Sequence, residues 1–158
     1  MNDLMVSELI ASDYQAAIAI SGGGSSAVAS LLSVPGASHF VLEASIPYHA
    51  DALRAYVDAK PVSLCSSQVA GKMAGIAYDR ALRLSGKKSR CVGIACTAAL
   101  QSNRERRGSD RAHLSVVLEM KQYYRLVLLP AVSREDQELF LGRELLAYVH
   151  TCLELDDG

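Results

Sequence analysis

Short apolar runs alternate with apolar positions at helical spacing along this chain, and that alternation predicts its elements. Residues 3–12 read as a short helix, with Asn2 or Asp3 as its cap and Leu4, Leu9 and Ile10 packing inward. An apolar run over 16–20 reads as the first strand. A glycine turn follows, then a helix to about Ser33. Val34-Pro35-Gly36-Ala37 ends it, because proline cannot extend a helix and glycine suits the turn. A second strand over 39–46 stops at Pro47, and a short helix over 50–57 comes next.

Residues 66–84 read as a long helix, on which Val69, Met73, Ile76, Ala77 and Leu84 recur at helical spacing. Gly86-Lys87-Lys88 closes it with a C-cap glycine and basic charge suited to the helix dipole. The third strand, 91–96, is almost wholly apolar, as a central strand covered on both faces should be. Residues 98–111 read as a polar loop. Leu114, Val116, Leu118 and Met120 then alternate with Ser115 and Glu119, the pattern of a half-buried strand. Lys121-Gln122 is expected to turn the chain, with 123–129 as the second arm of a hairpin. Ser133 caps a last helix to about Leu153, with Leu139, Leu146, Val149 and Leu153 on one side, and 154–158 read as a frayed tail. No repeat or linker interrupts the order α-β-α-β-α-α-β-β-β-α. The expected fold is therefore a three-layer α/β/α sandwich with a mixed sheet, one domain over residues 1–158.

Composition narrows the function classes. The 158 residues can bury a core of their own, and 50% are apolar against 21% charged, the balance of a globular chain. Sixteen basic and 17 acidic residues leave a net charge of −1, which argues against a nucleic-acid partner. The basic cluster of Arg104, Arg106, Arg107 and Arg111 is interrupted by Glu105 and Asp110 and reads as a solvated loop, with anion or partner binding as the other option. No apolar stretch approaches a membrane span, and the N-terminus lacks a secretory pattern, so the expected setting is the cytoplasm, away from membranes. Cys65, Cys91, Cys96 and Cys152 show no Cys-x-x-Cys spacing and read as reduced thiols, with no metal site. No cofactor is called for.

The candidate chemistry gathers at Ser21-Gly22-Gly23-Gly24-Ser25-Ser26, where a strand empties into a glycine turn at a helix N-terminus. Backbone N–H groups and the helix dipole converge there, an arrangement that holds anions. The same small residues also suit a tight turn and a helix cap, which is the plain alternative. Arg134, in the first turn of the last helix, opposes that helix's dipole. Its partner is either Glu135 or Asp136, or a ligand phosphate. Cys96 ends the third strand, where α/β sheets place ligands, and reads as a buried thiol or, less plainly, a nucleophile. Glu43 reads as a solvent-facing or edge-strand carboxylate.

The glycine turn, Ser33-Val34-Pro35-Gly36-Ala37-Ser38, Tyr48 after its strand and Gly93-Ile94-Ala95 together resemble the CinA C-terminal domain over nearly the whole chain. The resemblance is to the divergent eukaryotic branch, in which this domain is fused to a nucleotidylyltransferase-like domain; no second domain is expected within these residues. Bacterial members are nicotinamide mononucleotide amidohydrolases, releasing ammonia. The resemblance implies that Ser21 matches the nucleophilic serine and Tyr48 the family's tyrosine. It also implies self-association, so a homo-oligomer is expected. Where the family reads Ser-Asn-Glu-Ala-Lys, with lysine as general base, this chain reads His49-Ala50-Asp51-Ala52-Leu53. Gly-Ile-Ala-Gly-Pro becomes Gly93-Ile94-Ala95-Cys96-Thr97, and Gly-Asp-Arg becomes Val132-Ser133-Arg134.

A serine hydroxyl needs a base to become a nucleophile, and leucine cannot supply one. The leading expectation is thus a CinA-type domain that binds a pyridine nucleotide or another phosphorylated small molecule, with amidase activity impaired or lost. Gly22, Gly23, Gly24, Ser25, Ser26, Thr97 and Arg134 would hold the ligand. The first alternative is a working amidase, a hydrolase of NAD metabolism, using Ser21 with a relocated base. His49, one helical turn from Leu53, is the candidate base. The second alternative is a non-catalytic oligomerisation or partner module.

Overall fold

The computed structural model describes residues 3–86, 90–102 and 109–157. Five strands, β1 (Gln15–Ser21), β2 (Val41–Ser45), β3 (Cys91–Ala99), β4 (Arg111–Leu118) and β5 (Lys121–Leu128), form one sheet in the order β2-β1-β3-β4-β5. β2, β1 and β3 run parallel, and β4 and β5 add an antiparallel hairpin. The helices are α1 (Asp3–Ala11), α2 (Ser25–Leu32), α3 (Ala50–Val57), α4 (Ser67–Ser85) and α5 (Arg134–Asp157). The expected three-layer sandwich with a mixed sheet is the fold found.

The two sheet faces are built from different side chains. Ile18, Ile20, Ile94, Cys96, Leu114 and Val116 are buried in one cluster with residues of α1, α2 and α5. On the opposite face, Ala17, Ala19 and Ala95 lie beneath α3 and α4. Small side chains let α4 settle almost directly onto the sheet. A Cβ at Gly93 would stand 2.1 Å from the Ala74 carbonyl oxygen and 2.4 Å from the Tyr78 nitrogen. Ser66 caps α4 by accepting from the Val69 N–H at 3.2 Å, and Gly86 (φ 66°) ends it as expected.

Several expectations are corrected. The hairpin turns at Glu119 and Met120, with Met120 at φ 66° and its side chain in solvent. Lys121 and Gln122 already pair with Leu118 and Val117. β4 is buried on both faces rather than one: Ser115 is 1% exposed, its hydroxyl donating to the Tyr123 carbonyl at 3.1 Å. β3 runs on to Ala99 and β4 starts at Arg111, so both strands extend into the expected loop. β2 starts only at Val41, because 37–39 form a 3₁₀ turn. Leu4, Leu84 and Leu139 face solvent; α5 buries Leu141, Leu145, Leu146, Val149, Cys152 and Leu153 instead of a stripe through Leu139.

Nor does the C-terminus fray before Asp157. Tyr14 donates its hydroxyl to Asp156 (2.5 Å) and Asp157 (3.1 Å), while Lys121 and Arg90 pair with Asp156 and Asp157 at 3.2 and 2.8 Å. Asn2, Lys87, Lys88, Arg104, Arg106 and Arg107 lie outside the described residues. Among the described residues no helix is long and apolar enough to cross a membrane, no disulfide forms, and no group of His, Cys, Asp and Glu is arranged to hold a metal.

Candidate functional site

β1 and β3 end side by side, with Ser21 opposite Thr97, and the chain leaves β1 through the glycine turn. Gly22 (φ 82°) and Gly24 (φ 105°) adopt the left-handed backbone that glycine enters without strain. Gly22 is also pressed onto β3: a Cβ there would stand 1.9 Å from the Ala98 carbonyl oxygen. The turn therefore lies flat across the carboxyl end of the sheet, where α/β folds hold their ligands.

Two adjoining hollows open at this end. One, of 320 Å³, is walled by Ser21, Tyr48, Leu53, Cys65, Thr97 and Arg134, among others. The second, of 350 Å³, shares Gly22, Tyr48, Leu100 and Arg134 with the first and adds Gly23, Ser25, Glu135 and Glu138. Each is in the range of a small-molecule subsite. A larger hollow of 670 Å³ lies elsewhere, bounded by Lys60, Lys72 and Gln122. It contains none of the strand-end residues, so the two smaller hollows form the candidate site.

Ser21 is nearly buried, and its hydroxyl makes no hydrogen bond to a described residue. Among the described residues, no lysine or histidine lines either hollow of the site. Leu53, 2% exposed, lines the first hollow at the position where the resemblance implies a lysine. His49 stands outside as the N-cap of α3. Its Nδ1 accepts from the Asp51 N–H at 3.0 Å, and 77% of its side chain is in solvent. His113 follows Thr97 in the same cross-sheet row, but it is two strands from Ser21, about 10 Å by strand spacing. Its Nδ1 is bonded to the Tyr124 hydroxyl at 2.7 Å, and burial holds its pKa below the ordinary histidine value. Lys60 belongs to the separate large hollow.

Thr97 donates its hydroxyl to the Leu64 carbonyl at 2.8 Å and so fixes the α3–α4 loop against β3. Cys65, in that loop, lines the first hollow, and Arg111 donates to its carbonyl at 3.2 Å. Arg111 is thus spent on main-chain oxygens. Cys96 is fully buried behind Gly24, and burial, then the nearby Glu138, drives its thiol far above the ordinary range. It contacts neither hollow and is no nucleophile. Glu43 is bound bidentately by Arg80, which holds its carboxyl below the usual value.

Arg134 pairs with neither Glu135 nor Asp136. Its guanidinium donates to the Gln101 carbonyl at 2.9 Å and the Tyr48 hydroxyl at 3.2 Å, so the cation borders both hollows with no described carboxylate against it. Ser133 caps α5 beneath it, accepting from the Asp136 N–H at 3.1 Å.

Sequence reasoning missed two residues on α5. Gln137, completely buried, accepts from the Gln101 N–H at 2.8 Å and donates to Asp110 (2.9 Å) and the Pro130 carbonyl (3.0 Å), pinning the segment that carries Arg134's acceptor. Glu138 reaches the glycine turn. Its Oε1 accepts from the N–H of Gly24 (2.8 Å) and Ser25 (3.2 Å) and from the Ser25 hydroxyl (3.3 Å). Its Oε2 accepts from the Ser26 N–H (3.3 Å) and hydroxyl (2.8 Å). One signal was available: Glu138 is four residues after Arg134, so both share a helix face.

No protein-family model and no curated protein matches the chain. Solved structures do, at low identity. A CinA-superfamily protein from Escherichia coli is 19% identical with a TM-score of 0.75, over 93% of this chain and 85% of that one. A competence/damage inducible protein from Agrobacterium tumefaciens is 18% identical with a TM-score of 0.79, over 93% and 92%. A CinA-superfamily protein from Enterobacter cloacae gives 16% and 0.78, over 96% and 89%. The chain has the fold of the CinA-superfamily proteins over nearly its whole length.

Proposed function

We propose that this CinA-type domain binds a phosphorylated small molecule of the pyridine-nucleotide class in the hollow beside Ser21, without efficient hydrolysis of its amide. One observation carries the reading: Leu53, not an amine, lines the hollow that holds Ser21, and among the described residues no lysine or histidine lines it. A positioned general base is worth about 10²–10⁴ in rate. An arginine cannot replace it, because its guanidinium does not give up a proton in proteins. Binding has better support than turnover. Arg134 offers a planar cation suited to phosphate, Tyr48 supplies an aromatic wall, and Thr97 and Ser21 supply small polar surface. Against the working-amidase alternative, His49 is a solvent-facing cap and His113 is two strands away.

Calorimetry with nicotinamide mononucleotide tests the reading. Saturable binding with Kd below about 1 mM is expected, weakened about tenfold (about 1.4 kcal/mol) in Arg134→Gln. Absence of saturable heat up to about 10 mM, or full affinity in the variant, would overturn it.

A further inference from the structure

Glu138 turns the glycine loop into an anion site that is already filled. The N–H groups of Gly24, Ser25 and Ser26 open α2 and have no partner within their own helix. Converging donors of this kind bind an anion or water. Here all three point at one carboxylate, which also accepts from two hydroxyls, and that carboxylate comes from α5, 112 to 114 residues away. Its seat is built by packing. The Ser26 hydroxyl also lies 2.9 Å from the Glu138 main-chain oxygen. One turn on, Gly142 leaves room for α2, since a Cβ there would stand 1.9 Å from the Ser26 oxygen. The bare position at 142 and the carboxylate at 138 thus fix the same helix–helix contact.

We propose that Glu138 is a specificity-determining residue. It is an internal anion that closes the glycine turn to phosphate and leaves Arg134 to receive the anionic group of any ligand. A phosphate brought to the turn would find the Gly24, Ser25 and Ser26 donors occupied and a like charge beside them. The part of a ligand that lies against Gly22, Gly23 and Ser25 is therefore neutral or cationic. Only the assignment to Arg134 rests on the function proposed above; the filled turn stands apart from it.

Inorganic phosphate is the probe. In the full chain, Glu138→Ala is expected to lower Tm by several degrees and then to regain it saturably as phosphate is added, against a chloride series of equal ionic strength. The wild type is expected to show no phosphate-specific shift. Phosphate affinity is expected to rise at least tenfold in the variant, and Ser26→Ala added to Glu138→Ala is expected to remove the gain. If Glu138→Ala does not fold in buffer, its refolding is followed with phosphate or with chloride at equal ionic strength, and recovery of the fold with phosphate alone is expected. A wild type that binds phosphate as tightly as the variant, or a folded variant indifferent to phosphate, overturns the proposal. A nucleotide that fails to bind the wild type, alongside phosphate rescue of the variant, would refute the proposed ligand and leave the filled turn intact.

Discussion

The two adjoining hollows at the same strand end are completed in opposite ways. At the glycine turn the N–H groups of Gly24, Ser25 and Ser26 all meet the Glu138 carboxylate, so its charge is held by donors inside the protein. Around Ser21 the hydroxyl has no described partner, and Arg134 carries a positive charge with only neutral oxygens against it. The contrast separates structure from function within one site. The turn serves as a helix–helix clamp, whereas the cavity presents a hydroxyl and a guanidinium that the proposed ligand would engage.

Substitutions sharpen that contrast. Gly22→Ala is expected to have the largest effect, about 2–4 kcal/mol of lost stability, because it adds left-handed backbone strain to a collision with the Ala98 carbonyl; chemical denaturation reads it, and a loss under about 1 kcal/mol would show that the turn can move off β3. Glu138→Ala is expected to cost about 2–3 kcal/mol in phosphate-free buffer, since it strips charged acceptors from several donors at once. Arg134→Gln, by contrast, is expected to change stability by less than about 0.5 kcal/mol while weakening the ligand. A larger stability loss in Arg134→Gln than in Glu138→Ala would reverse the assignment of clamp and ligand site.

The smallest effect lies far from the site. The Tyr14 hydroxyl, then Lys121, hold the Asp156 carboxyl below its ordinary value, and Arg80 does the same for Glu43. A carboxyl whose folded pKa is depressed contributes stability above its unfolded value, about 4, and loses it as pH falls through the folded value. Thermal melts are therefore expected to drop below about pH 4. Asp156→Asn should flatten part of that slope; an unchanged slope would remove Asp156 from the account.

How much of this was legible in the sequence depended on the range of the signal. α3 was found to the residue, because His49, the helix-spaced apolar positions and the end at Val57 are all local. The order of strands and helices followed from similar patterns. Met120 was misread as a strand position because a non-glycine residue in the left-handed region leaves no mark on an alternating apolar pattern. The reach of β3 through Thr97-Ala98-Ala99 was hidden, since small residues paired across a sheet look like a loop until their partners are known. Ser21, Tyr48, Thr97 and Arg134 were singled out and do meet at one cavity. Glu138 was invisible as an anion for the turn, because its contact spans more than a hundred residues and depends on the missing side chain at Gly142.

The central claim, that Ser21 keeps its position but has no base to ionise it, is tested most directly by ammonia release from nicotinamide mononucleotide at neutral pH, comparing wild type with Ser21→Ala. The account predicts that both match the enzyme-free background. Release by the wild type that is lost in Ser21→Ala would contradict it.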